Sequence, residues 1–140
     1  MKLTTSPAQW CASILLLVAA GTHIPLVREH LEEAPYVGWL FILLSVVCIA
    51  LAVAVLFVDH PSVWLLSGLT CFAAVVAFLA SRTVGLPEIG DDVGNWTEPL
   101  GFPALASEVL MAVLAYAHLR DRRRTGRNVV ARDVSVGRQS

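Results

Sequence analysis

Residues 37–58 read VGWLFILLSVVCIALAVAVLFV and contain no charged side chain. A helix needs about 20 mostly apolar residues to cross the hydrocarbon core of a bilayer, which is about 30 Å thick. The stretch is long enough, and it lacks the alternation of apolar and polar residues that marks a strand of a membrane barrel. A helix also satisfies its own backbone hydrogen bonds, which lipid cannot do. We therefore predict a transmembrane helix here.

Three further apolar runs flank this stretch, at residues 10–27, 63–80 and 102–119. The segment Asp59-His60-Pro61-Ser62 between the second and third runs is short enough for a helical hairpin. The chain is 56% hydrophobic and 15% charged, whereas a soluble domain carries about 25% charged residues. We predict an all-α fold, an antiparallel four-helix transmembrane bundle. Its predicted parts are spans at residues 9–28, 36–58, 62–82 and 101–120 within a membrane domain at 1–121, and a basic, disordered cytoplasmic tail at 122–140.

The distribution of basic residues predicts the orientation of this bundle. Lys and Arg accumulate in the cytoplasmic flanks of membrane spans. Lys2 precedes the first run and a cluster of arginines begins at Arg120, whereas the segments after the first and third runs are mainly acidic. We expect both termini on the cytoplasmic side and both acidic segments on the outer side.

Two ionisable side chains lie inside the predicted spans. His23 lies near the outer end of the first span, and Glu108 lies about two turns into the fourth. Arg82 ends the third span on the same side of the membrane. Ionisable groups in a span are costly and mark candidate functional sites. We expect His23, Glu108 and Arg82 to converge in one pocket near the outer face.

The segment after the first span adds imidazole and carboxylate groups to this pocket. His23 and His30 are seven residues apart, so a helix that continues past Pro25 places them on one face. Such ligands suit a transition metal ion, here copper, iron or zinc, and helical bundles can hold metals in this way. The predicted metal ligands are His23, His30, Glu29, Glu33 and Glu108, with Arg82 and Glu98 as partners that orient them.

Each of these residues also has an ordinary structural explanation. His23 could bond to a carbonyl freed by Pro25, and Arg82 and Glu108 could form an ion pair between two helices. Haem is not expected, because His60 lies in a turn where it is poorly placed to face His118. The arginines after the fourth span suit topology and anionic lipid head groups, and we expect no nucleic acid as a partner.

Three functions are compatible with the sequence. The first is a binding protein that holds a metal ion or a small ligand in the His/Glu/Arg pocket. The second is a non-catalytic accessory subunit of a larger membrane complex, or a homo-oligomer, since small residues in the first two spans permit close packing. The third is a small transporter or channel, although no inverted repeat is visible. Whether the chain is an enzyme stays open, because membrane enzymes often lack short signatures.

Three stretches carry a resemblance to a known group. They are residues 23–33, residues 81–87, and residues 98–101 together with Glu108. They resemble a group of small four-span, uncharacterised bacterial membrane proteins that is common in actinobacteria, over about residues 10–120. The resemblance implies the four-span architecture and a multi-pass location in a bacterial plasma membrane, and it implies no activity.

Overall fold

The computed structural model of the chain describes residues 5–137, and its side chains as far as Asn128. Lys2 and Arg138, which enter the orientation prediction, lie outside the described residues. No strand forms within the described range. The helices are α1 (Pro7–His23), α2 (Val27–Glu33), α3 (Pro35–Phe57), α4 (Pro61–Thr83) and α5 (Gly101–Gly137), with short 3₁₀ turns at Ile24–Leu26 and Gly90–Asp92.

Local sequence signals explain where the helices begin. The Ser6 hydroxyl accepts a hydrogen bond from the backbone N–H of Gln9, and the Gln9 side chain accepts one from the backbone N–H of Ser6. This reciprocal pair satisfies backbone donors that the first turn leaves free. Proline occupies the first turn of α1, α3 and α4, where its missing N–H has no intrahelical partner to lose.

Four helical segments are long and apolar enough to span a membrane: Pro7–Glu33, Pro35–Phe57, Pro61–Thr83 and Gly101–Asn128. At 1.5 Å per residue, the 23 residues of α3 extend over about 35 Å, which exceeds the hydrocarbon thickness of about 30 Å. Large apolar side chains such as Val46, Val53 and Phe72 are exposed on the outside of the bundle, as lipid contact requires. The predicted all-α fold is confirmed, with four helices in the described residues that are long and apolar enough to span a membrane.

α1 packs against both α3 and α5, and α4 packs against α5, whereas α3 and α4 contact each other much less. Two polar bonds fix α1 on α3. The Gln9 side-chain amide donates to the Val55 carbonyl (2.8 Å), and the Ser45 hydroxyl donates to the Ala20 carbonyl (3.4 Å). Because α3 and α4 pack loosely against each other, space remains between them inside the bundle.

The core between α1, α3, α4 and α5 is built largely from small and sulfur-containing side chains. Cys48 and Cys71 are fully buried in it as free thiols, and buried thiols pack as small apolar side chains. Trp64, Leu16 and Met111 are the largest apolar side chains that are completely buried with them. Small residues let the helix backbones approach closely where lipid supplies no hydrophobic driving force between helices.

The structure differs from the sequence prediction at two helix ends. α1 is followed at once by a 3₁₀ turn and α2, so the first helical segment continues to Glu33 rather than ending near residue 28. α5 continues to Gly137, through most of the segment that we predicted as a disordered tail. Arginine is among the better helix formers, and Arg122 contacts Asp59 in the turn between α3 and α4, so the helix has local reasons to continue.

Candidate functional site

His23 and Glu108 face each other inside the bundle, as their depths in the sequence predicted. His23 Nε2 lies 3.7 Å from Glu108 Oε1, and the two residues are only 8% and 2% exposed. His23 Nδ1 lies 2.7 Å from the carbonyl oxygen of Ala19, one helical turn earlier. Because a carbonyl oxygen only accepts, Nδ1 carries the proton, and Nε2 is the nitrogen left to face Glu108.

His30 repeats this arrangement on α2. Its Nδ1 donates to the Leu26 carbonyl over 2.9 Å. The rings of His23 and His30 both pack edge-on against Phe41 of α3, each with a centroid separation of 4.9 Å. The seven-residue spacing therefore does place the two histidines on one face, and Phe41 is the residue that they share.

Arg82 forms a different ion pair from the one considered in the sequence. Its Nη1 lies 2.6 Å from Asp92 Oδ1, its Nη2 contacts Glu98 Oε2, and its guanidinium carbon lies 5.1 Å from the centroid of the Phe78 ring. The suggested pair between Arg82 and Glu108 is not formed. The reason is that the loop between α4 and α5 folds back onto the end of α4 and brings its carboxylates close to the guanidinium.

The fold of this loop depends on backbone positions with positive φ. Gly85 and Gly94 have φ of +79° and +82°, which glycine adopts without steric cost. The Gly94 N–H then donates to the Arg82 carbonyl over 2.9 Å. This long-range backbone bond holds the loop against the end of α4, with Asp92 just before Gly94 and beside the arginine.

A cavity of about 520 Å³ lies among α1, α3, α4, α5 and this loop. Its wall is mostly apolar, and α4 contributes the small side chains Thr70, Ala73, Ala74 and Ala77 to it. His23, Glu108 and Arg82 are part of the same wall. The pocket predicted from the three ionisable residues therefore exists, but it is larger and more apolar than a metal site.

A second, more polar cavity of about 400 Å³ adjoins the first. Glu29 and Glu33 of α2 line it, while His30, Asp92 and Glu98 line both cavities. The acidic side chains of α2 and of the loop thus line a polar cavity that adjoins the apolar one.

The predicted metal ligands do not form one ligand set. His23 and Glu108 line the large cavity, Glu29 and Glu33 line the polar one, and His30 lies between them. No group of three or more His, Cys, Asp or Glu side chains is close enough to hold a metal ion in the described part of the chain. The metal prediction therefore has no support from the described side chains.

Two buried polar atoms of the large cavity lack a hydrogen-bond partner among the described residues. They are Oε1 of Glu108 and Nε of Arg82. Leaving a buried polar group unpaired costs about 1–3 kcal/mol, and more when the group is charged. Glu108 Oε1 is an acceptor and Arg82 Nε is a donor, so the two atoms call for different partners.

Sequence reasoning missed Phe41, Asp92 and the small-residue face of α4. Phe41 lies in α3, where nearly every residue is apolar, so the sequence does not distinguish it from its neighbours. The small-residue face of α4 could have been recognised from the sequence. Thr70 and Ala74 are four residues apart, as are Ala73 and Ala77, so both pairs lie on one face of the helix.

A separate polar cluster lies at the opposite end of the bundle. The Trp64 indole N–H donates to Asp59 (3.0 Å), and Asp59 also contacts Arg122 and lies 3.4 Å from His118 Nε2. The rings of Trp64 and His118 stack with centroids 3.9 Å apart. These contacts tie the turn between α3 and α4 to α5. His118 is therefore engaged with Trp64 and Asp59.

Comparison of the chain with models of protein families, with curated proteins and with solved structures found no match. The functional argument consequently depends on the cavity itself. Its chemistry combines an apolar wall, a facing pair of His23 and Glu108, and an arginine that two carboxylates already neutralise.

Proposed function

We propose that the protein binds a small ligand inside the membrane bundle, in the large cavity, with His23 and Glu108 as its polar contacts. The observation that carries this proposal is that Glu108 lines the cavity while its buried Oε1 has no hydrogen-bond partner among the described residues. Buried carboxylates are otherwise paired, since an unpaired one is costly in an apolar surrounding. A volume of about 520 Å³ lies within the range of sites that hold small organic molecules.

The proposed setting is an antiparallel bundle with both helical ends, near Pro7 and Arg120, on the cytoplasmic side of a bacterial plasma membrane. The direction is supported by the contacts of α1 with α3, in which early residues of α1 meet late residues of α3. The side is supported by the cluster of arginines that begins at Arg120. The site then lies in the outer half of the membrane. Membership of the group of small four-span bacterial proteins described above remains part of this proposal.

The test is extraction and mass spectrometry of small molecules that co-purify with the protein in a mild detergent. Ala74→Phe fills the cavity from α4, and Glu108→Gln removes the carboxylate. Leu69→Phe is the matched control, because Leu69 lies on the same helix, is 55% exposed and does not line the cavity. Thermal unfolding in the same detergent establishes that each variant is folded.

We expect a bound molecule in the wild type and in Leu69→Phe, less of it in Glu108→Gln and none in Ala74→Phe. Equal amounts in all four proteins would contradict the proposal. A protein partner that co-purifies and persists in the Glu108→Gln and His23→Ala variants would instead support the accessory-subunit hypothesis. Elemental analysis of the same samples tests the metal prediction directly.

A further inference from the structure

With a neutral His23 and an ionised Glu108, the polar atoms that face each other beside the large cavity are both hydrogen-bond acceptors. His23 donates through Nδ1 to Ala19, so Nε2 of the neutral ring presents a lone pair. An ionised Glu108 offers only acceptor oxygens. Their separation of 3.7 Å is longer than a hydrogen bond, and two acceptors have no reason to approach more closely. A donor group placed beside both atoms would satisfy them together.

The charge around the cavity favours a positive donor. Arg82 is the only Lys or Arg among the described residues that line either cavity, and it already faces Asp92 and Glu98. Glu108 adds a further carboxylate, and the polar cavity beside it adds Glu29 and Glu33. An anionic group would meet several carboxylates and no free cation. A cation would find charge complementarity there.

An aromatic ring at the same place adds to this preference. Phe41 lines the large cavity and makes T-shaped contacts with both histidine rings. A cation within about 6 Å of an aromatic ring face is attracted by the ring quadrupole, and more strongly where water is excluded. An ammonium group has three donors and no acceptor, so it also matches the two acceptor atoms of His23 and Glu108.

The shape of the cavity defines the remainder of the ligand. On α4 the wall extends from Arg82 back to Thr70, which is about 18 Å along the helix axis. Across from it, α3 contributes Leu40, Leu43, Leu44 and Val47. This long apolar part lies between α3 and α4, which contact each other much less than α1 contacts α3 or α4 contacts α5, so a chain can lie between them with its far end toward the bilayer.

We propose that the ligand of the large cavity is a single-chain amphiphile with an ammonium head group. The head lies between His23 and Glu108, and the hydrocarbon chain lies between α3 and α4. This inference rests on the proposed function and specifies the class of ligand. Free alkylamines and single-chain amino lipids share this chemistry.

The experiment measures the binding of three probes with the same chain, namely tetradecylamine, tetradecanol and tetradecanoate. The full-length protein is held in one nonionic detergent at fixed concentration, and binding is measured by native mass spectrometry and by the ligand-induced rise in unfolding temperature. Butylamine serves as the probe that has the head group but not the chain. The wild type is compared with Glu108→Gln, Ala74→Phe and Leu69→Phe.

We expect the wild type to bind tetradecylamine about tenfold more tightly than tetradecanol, with tetradecanoate and butylamine weakest, because a hydrogen bond to a charged group is stronger than a neutral one. Glu108→Gln removes this preference and retains the binding of tetradecanol. Ala74→Phe abolishes the binding of both long-chain probes, and Leu69→Phe leaves it unchanged.

The outcomes separate this inference from the function on which it rests. Binding of tetradecanol or tetradecanoate that matches or exceeds that of the amine, and that Ala74→Phe abolishes, would overturn the ammonium assignment while the cavity remains a binding site. No Ala74-sensitive binding of any probe, with no co-purifying molecule, would overturn both. The relative affinities of the wild type for the probes are measured without any variant. They test the ammonium assignment even if Glu108→Gln folds poorly.

Discussion

A single added methyl group at Gly38 tests how tightly α2 packs on α3. A Cβ at this position would lie 2.6 Å from Cγ and 2.7 Å from Cδ2 of Leu31, and 2.8 Å from the Leu31 backbone nitrogen. Carbon atoms in contact are normally about 3.5–4.0 Å apart, so the overlap is about 1 Å. A side-chain rotation can relieve the first two contacts. The third involves backbone, so α2 itself must move.

We expect Gly38→Ala to lower the free energy of unfolding by about 1–2 kcal/mol. Overpacking of this kind costs about 1–3 kcal/mol, and the better helix propensity of alanine offsets up to about 1 kcal/mol of it. The displacement of α2 would also separate His30 from Phe41, since α2 carries His30. Amide hydrogen exchange of residues 27–33 is therefore expected to become faster in the variant.

The matched control is Gly21→Ala. Gly21 lies in α1, and a Cβ there would meet nothing within 4 Å, so this change is expected to be neutral or slightly stabilising. Both variants are measured by thermal unfolding and by titration with sodium dodecyl sulfate in the same mixed micelles. The reasoning would be refuted if the two variants had the same stability and the same hydrogen exchange in α2.

Two substitutions and one labelling experiment test other features of the fold. Arg82→Met leaves two carboxylates without their guanidinium, so we expect the loop that follows α4 to become about tenfold more sensitive to protease; an unchanged cleavage rate would argue against the ion pairs. Trp64→Phe removes the N–H that donates to Asp59, and a loss of about 1 kcal/mol in the free energy of unfolding is expected by detergent titration, where no loss would show that the bond contributes nothing. Cys11 is exposed, and we expect it to react with a lipid-soluble maleimide in the folded protein, whereas the buried Cys71 reacts only after unfolding. The two reaction rates are measured by mass spectrometry, and equal rates would show that Cys71 is not buried.

The positions of the helices could be read from the sequence because their causes are local. Apolar length defines the spans, and the capping pair of Ser6 and Gln9 together with first-turn prolines defines where helices begin. The approach of His23 to Glu108 could also be predicted, because depth in the bilayer follows from the position along each helix and a costly group seeks a partner.

The partners of Arg82 could not be predicted, because they depend on the fold of a loop. That fold is held by positive φ angles at two glycines and by the backbone bond from Gly94 to Arg82, which no local pattern specifies. The size and the apolar character of the cavity could not be predicted for another reason. α3 is apolar around its whole circumference, so its sequence does not indicate which face points inward, and the space depends on that rotation.

The turn between α3 and α4 has a consequence for the biogenesis of the protein. Only residues 58–60 separate Phe57 from Pro61, and Asp59 in this turn is held by Trp64 and Arg122. Such a short connection cannot let one helix enter the bilayer while the other waits in water. We therefore expect α3 and α4 to enter the bilayer as one helical hairpin, so that the loosely packed pair beside the cavity is adjacent before α5 completes the bundle.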